Sequence, residues 1–255
     1  MNILCISRFF KGSDFLKAVH EEGHNAYLIT STVLDKENWP WESITETFYM
    51  VEDEEGNWNM GDLINGLAFT MRRLKFDILV SLDDFDVEAA AHLREYFRID
   101  GMGESTARYF RDKLAMRIKA RDAGIQVPDF TSLFHDSDID NFTQNVGAPW
   151  ILKPRGQASA TGMSKVYNKE ELWEKLHQLG DKRHSFLLEK FAPGDVFHVD
   201  SLTFNGKVIF SKVSQYLNTP FEVAHGGGIF RSCTLKVNSW EDQKLKQMNE
   251  EIMKS

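Results

Sequence analysis

The chain opens on Ile3-Leu4-Cys5-Ile6, an unbroken apolar run too short for a helix and without polar alternation. That is the pattern of a strand covered on both faces. Beyond Ser13, which can cap a helix, Phe15, Leu16 and Val19 recur on one side until Gly23 stops it, and Ala26 to Ile29 restores the apolar run. Strand, helix and strand in this order predict a βαβ unit on a parallel sheet. An irregular acidic segment with Trp39, Trp41 and Trp58 follows. The pattern then resumes with a helix over 63–74, a strand over 78–82 and a helix over 87–96.

Two glycines within 98–105 mark a boundary. Past it, Ser105 is expected to cap one helix whose apolar positions are Ala107, Phe110, Leu114 and Ile118, closed by Gly124 with Pro128 beyond. A weakly signalled helix over 139–146 leads to the short strand Trp150-Ile151-Leu152, which ends in Lys153. Asn168 and Glu171 stand at capping-box spacing before a helix over 169–179 that buries Leu172, Leu176 and Leu179 and stops at Gly180. A strand then runs through Phe186-Leu187-Leu188 into Pro193-Gly194, and 196–203 and 207–214 read as a hairpin turned at Asn205-Gly206.

Composition narrows the picture. At 255 residues the chain is long for a single core. A formal charge of −8 argues against a sequence-independent grip on nucleic acid, because counterion release needs a basic face. No apolar run approaches the roughly 20 residues of a membrane helix, and the first residues lack the features of a signal peptide. A cytoplasmic protein is the expectation. Cys5 and Cys233 lie far apart in sequence and read as structural thiols.

Candidate chemistry concentrates between Pro149 and Met163. Lys153 closes an apolar strand, and the loop after it, through Ser159, Ala160, Thr161 and Gly162, has short side chains throughout. Such a loop exposes backbone N–H groups and hydroxyls that can surround phosphate oxygens neutralised by a lysine; a solvated hairpin turn is the plainer alternative. The first βα turn, Ser7-Arg8-Phe9-Phe10-Lys11-Gly12, lacks the G-x-G-x-x-G of a dinucleotide site, which disfavours a nicotinamide oxidoreductase. Asp83, Asp84 and Asp86 read as a turn in which Asp84 or Asp86 caps the next helix, and they are left outside the site. Lys113 points either to solvent or toward a ligand. Glu189-Lys190-Phe191-Ala192 suits an adenine hinge, with the ring on Phe191 and backbone groups reading its edge, or else is an ordinary strand end.

Together these pieces resemble the ATP-grasp family, most closely its biotin-carboxylase-like branch, over residues 1 to about 235. The resemblance rests on order: an α/β domain, Asp112-Lys113 leading to Ala123-Gly124-Ile125-Gln126-Val127-Pro128, a strand ending in Lys153, a small-residue loop ending Thr161-Gly162-Met163, and Glu189-Lys190-Phe191 before Pro193-Gly194. It implies an α/β then α+β chain: a Rossmann-like domain over 1–103, a linker helix and first ATP-grasp lobe over 104–185, and an incomplete second lobe over 186–255.

The resemblance also implies roles. Lys113 and Lys153 would hold ATP phosphates under a flap running from Arg155 to Met163; Glu189, Lys190, Phe191 and Ala192 would hold adenine; His198 and Asp200 would face the nucleotide. Related proteins carry a ribose-binding Glu where this chain has Val196, and Asp195 beside it is the candidate substitute. His225 to Arg231 corresponds to a region that often faces substrate, a mobile loop being the alternative. The implied chemistry is ATP-dependent ligation of a small-molecule carboxylate to an amine or other nucleophile through an acylphosphate, and a homodimer is compatible with it. Mg²⁺ ligands are expected beyond residue 255, so the chain reads as the front part of a longer protein and no catalytic or metal residue is assigned. The alternative is a nucleotide-binding or regulatory module without turnover.

Overall fold

In the computed structural model, which describes residues 1–158 and 160–255, the first apolar run becomes an inner strand of a parallel sheet. β1 (Asn2–Ser7), β2 (Asn25–Ser31), β3 (Ile44–Met50) and β4 (Ile78–Ser81) lie in the order β3-β2-β1-β4, every pair parallel. The alternation of side chains along β1 explains why its run is apolar throughout. Ile3 and Cys5 join a core with Leu16 and Val19 of α1 (Ser13–Glu21) and with Trp39, while Leu4 and Ile6 join another core with Leu63 and Leu67 of α2 (Met60–Thr70) and Ala90 and Leu93 of α3 (Val87–Phe97). α4 (Glu104–Arg111) completes this unit, Met1–Arg111, so the helix that the sequence reading assigned to the second part packs with the first.

β3 falls in the segment expected to be irregular. It is an edge strand, and its register shifts where Ala26 meets Ile44 and Tyr27 meets Glu46. The extra residue breaks the period-2 pattern that would have revealed it. The acidic turn also differs from expectation. Asp86 stands at the N-cap position of α3, but its side chain makes no capping bond; Asp83 instead caps the short 3-10 turn Asp84–Asp86, accepting from the Phe85 N–H at 2.9 Å, and is ion-paired with Lys11. Asp86 is fully buried and accepts from the Arg8 Nε at 2.6 Å and the Arg8 backbone N–H at 2.9 Å; Asp84 pairs with Arg111 at 2.6 Å.

The second unit, Asp112–Ser255, holds two antiparallel sheets. The expected single helix from Ser105 to Ile118 is two: α5 (Lys113–Asp122) starts afresh after Asp112, which is extended at φ −87° and ψ 109° and accepts from the Leu114 N–H at 3.0 Å. One sheet is ordered β5-β8-β6-β7 from β5 (Phe130–Ser132), β6 (Trp150–Pro154), β7 (Ser164–Val166) and β8 (Phe186–Lys190). One of its faces, with Trp150, Leu152, Val166 and Leu188, packs against α6 (Asp136–Asn145) and α7 (Lys169–Leu179). Asn168 caps α7 by accepting from Glu171 N–H, as its spacing predicts.

The other sheet, β11-β10-β9, contains the predicted hairpin. β9 (Phe197–Phe204) and β10 (Lys207–Tyr216) join at Asn205 (φ 49°) and Gly206 (φ 71°), the two left-handed positions that an Asn-Gly turn of this type requires. α8 (Pro220–Gly226) begins in a capping box of Thr219 and Glu222, β11 (Ser232–Thr234) pairs with β10, and α9 (Trp240–Lys254) packs on β10. Among the described residues no helix is long and apolar enough to cross a membrane.

Candidate functional site

β6 is buried at all five positions, and strand alternation sorts its side chains. Trp150 and Leu152 enter the helix-covered core, so Ile151 and Lys153 point to the opposite face. On neighbouring β8, Glu189 stands across from Ile151 and so shares that face with Lys153. The Lys153 ammonium donates to Glu189 Oε1 at 2.8 Å, and Arg117 of α5 donates through Nε to Glu189 Oε2 at 2.7 Å. The result is one carboxylate between two cations. Burial pushes the Glu189 carboxyl up, but Arg117 and Lys153 outweigh it and hold the group below the usual carboxylate range. Burial draws the Lys153 ammonium down, against the opposing pull of Glu189. Lys153 is therefore a buried, paired cation, 6% exposed, rather than a lysine standing open at a strand end.

Lys113, the first residue of α5, lies at the base of the small-residue loop. Its backbone N–H donates to Arg155 O at 3.0 Å, and its ammonium donates to Arg155 O at 3.4 Å and to Gln157 O. Arg155 is anchored in turn: its guanidinium grips both oxygens of Asp112, with Nε to Oδ1 at 2.9 Å, and donates to His184 O at 3.0 Å. Burial pushes Asp112 up, but the Arg155 bonds prevail and its carboxyl lies below the ordinary range. One ion pair thus ties the start of α5 to the start of the loop. Within the loop Ala160 is left-handed (φ 58°), Thr161 N–H donates to Ala158 O at 3.1 Å, and Gly162 (φ 72°) packs so closely that a Cβ would lie 2.9 Å from Pro154 Cγ. Met163 O accepts from the His225 ring at 3.1 Å. Ser159 lies outside the described residues.

The stretch Glu189–Ala192 commits part of its backbone to the protein itself. Phe191 N–H is already committed to Pro149 O at 3.1 Å, and Lys190 N–H to Asp129 O at 2.8 Å. Lys190 turns its side chain away from Glu189, onto the carbonyls of Gly147 and Ala148. One face of the Phe191 ring is covered by the Lys165 ammonium, 3.7 Å from its centre. Ala192 is exposed, and its N–H makes no hydrogen bond to the described residues. It is the backbone donor of this stretch open to a ligand.

Asp195 is exposed. His198, on β9, stacks obliquely on Tyr216 at 5.0 Å and lies 3.4 Å from Asp200. Among the described residues no hydrogen bond or ion pair joins Asp195 or His198 to Lys153 or Glu189. The glycine-rich segment borders a groove of about 430 Å³ lined by Glu222, Val223, Gly227, Gly228, Ile229 and Arg231. Three residues central to this geometry, Asp112, Arg117 and Arg155, were not assigned ligand-related roles from the sequence beyond the motif Asp112-Lys113 and the start of the loop. The Thr219-Pro220-x-Glu222 box that begins α8 is a helix-start signal legible in the sequence. Among the described residues no three His, Cys, Asp or Glu side chains come together as a metal site.

No protein-family profile matches the chain. It is 33% identical over 147 residues to an L-arginine-specific L-amino acid ligase of Bacillus subtilis, a match covering 55% of this chain and 36% of that protein. Its fold superimposes on the L-amino acid ligase of Bacillus licheniformis with a TM-score of 0.75 at 16% identity, covering 98% of this chain and 60% of the other. The biotin carboxylase domain of the Hydrogenobacter thermophilus 2-oxoglutarate carboxylase, solved with MgADP, aligns with a TM-score of 0.70 at 16% identity, covering 99% and 57%. The chain thus spans little more than a third of the first relative by sequence and about three fifths of the second by structure.

Proposed function

We infer that this chain, which belongs to the ATP-grasp ligase family and spans part of the length of its relatives, supplies the ATP-binding part of a carboxylate–amine ligase. In this reading residues 1–111 form the leading α/β domain, α4 included, 112–185 the helix α5 and the first lobe, and 186–255 the second-lobe portion. The observation that carries it is that two lysines flank one small-residue loop: Lys113 donates to the carbonyls of Arg155 and Gln157 within it, and Lys153 lies on the strand that feeds it.

ATP supplies the phosphoryl group that converts a carboxylate into an acylphosphate. Lys113 and Lys153 neutralise phosphate oxygens, and the loop through Ala160, Thr161, Gly162 and Met163 lays its backbone over them. Ala192 N–H and the open face of Phe191 receive adenine, with Glu189 setting the position of Lys153. A carboxylate oxygen attacks the γ-phosphorus as ADP leaves; an amine then attacks the acyl carbon as phosphate leaves. The protein's contribution is alignment and charge neutralisation. Beside the glycine-rich segment, Arg231 offers a cation for the carboxylate.

The test is a screen for ADP release with magnesium present, over pairs of carboxylic and amino acids. Release that requires both partners supports ligation. ATP binding without such release leaves the alternative, a nucleotide-binding module without turnover, and absence of ATP binding in calorimetry overturns the reading.

A further inference from the structure

Lys153 and Glu189 alone would form a closed, neutral pair, and a neutral pair is a poor partner for a polyanion. Arg117 changes this. Its Nε is 2.7 Å from Glu189 Oε2, on the oxygen that Lys153 does not use, so one carboxylate is divided between two cations and the cluster carries a net positive charge. Lys153 and Glu189 are both under a tenth exposed, whereas the Arg117 side chain is 26% exposed and reaches in from α5. Water therefore screens the cluster weakly, and its net charge is felt by any anion brought to that face.

Resting on the nucleotide-site reading above, we propose that Arg117 is a positioning residue for phosphate binding: by engaging Glu189 it keeps Lys153 available to a polyphosphate instead of locked in a neutral pair. Arg117 touches no phosphate in this scheme; it acts through the carboxylate. The ligand class concerned is a nucleoside polyphosphate, and the selectivity it confers is for the phosphate chain over the nucleoside.

The experiment compares the wild-type chain with Arg117→Met and Arg117→Lys, measuring ATP by calorimetry and adenosine by saturation-transfer NMR, after thermal melting has confirmed that each variant folds. Arg117→Met is expected to weaken ATP about ten-fold, the order of removing one partly screened charge near a phosphate, and to leave adenosine unchanged. Arg117→Lys is expected to recover most of the loss. Adding Glu189→Gln to Arg117→Met frees Lys153 by another route and should restore binding of inorganic tripolyphosphate, a probe without adenine. Equal ATP affinity in wild type and Arg117→Met, or equal loss for ATP and adenosine, overturns this inference alone. Failure of the wild type to bind ATP overturns the nucleotide-site reading and this inference with it.

Discussion

Replacing Asp112 tests how the start of α5 is fixed. Its carboxylate does two things: it accepts from Leu114 N–H as the helix cap, and it receives the Arg155 guanidinium on both oxygens. A lost cap costs about 1 kcal/mol. The pair is intermediate in burial, with side chains 11% and 24% exposed, so breaking it should cost about 2 kcal/mol, between the 0–1 of a surface pair and the 3–5 of a fully buried one. Asp112→Ala should therefore destabilise the second unit by about 3 kcal/mol, and Asp112→Asn, which retains a capping oxygen, by about 2 kcal/mol. Hydrogen exchange at Leu114 and along β6 reads this locally, and urea unfolding gives the total.

There is a pH signature as well. The folded-state pKa of Asp112 is depressed, so its contribution is present above the ordinary carboxylate pKa and is lost as pH falls through the lower folded value. Asp112→Asn should remove that part of the acid dependence. Both variants within about 0.5 kcal/mol of wild type, the scatter of ordinary surface changes, would refute the assignment of cap and anchor to this side chain.

Lys153→Met should weaken ATP binding roughly ten- to a hundredfold, as expected for a lost charge-assisted contact. It should also lower the melting temperature, because Glu189 is left buried with Arg117 alone; calorimetry and thermal melting check the two effects. Ala192→Pro removes the open hinge N–H and should reduce affinity for ATP and adenosine alike, measured by competition binding. Gly162→Val forces a β-branched residue into a left-handed position against Pro154, and faster proteolysis within residues 155–163 is its expected mark.

What the sequence disclosed and what it hid divide along a physical line. The buried runs at Ile3–Ile6 and Ala26–Ile29 carry their strand signal locally, as do Asn205-Gly206 and the Asn168 cap, and each was readable without knowledge of any distant residue. The break at Asp112 was not. Ala107, Phe110, Leu114 and Ile118 keep helical spacing straight through it, and the partner that holds Asp112 extended, Arg155, is 43 residues away. Lys153 was legible as a strand-end cation, but its burial depends on Glu189, 36 residues on, and on Arg117 from a helix whose face could not be oriented in advance. β3 was hidden by a register shift, and β5, β7 and β11 by having three residues each, too few to show a period.

The two cysteines give the molecule a built-in chemical handle. Cys5 is fully enclosed in the β1 core and its thiol is pushed up to about 12 by burial, so at neutral pH it offers almost no thiolate to an alkylating reagent. Cys233, on β11, is exposed. A maleimide dye should thus attach at one place on the native protein without any engineered substitution, next to β10 and on the same chain segment as the glycine-rich loop. Appearance of a second labelled site would then time the opening of the parallel-sheet core, with Cys5 as its own reporter.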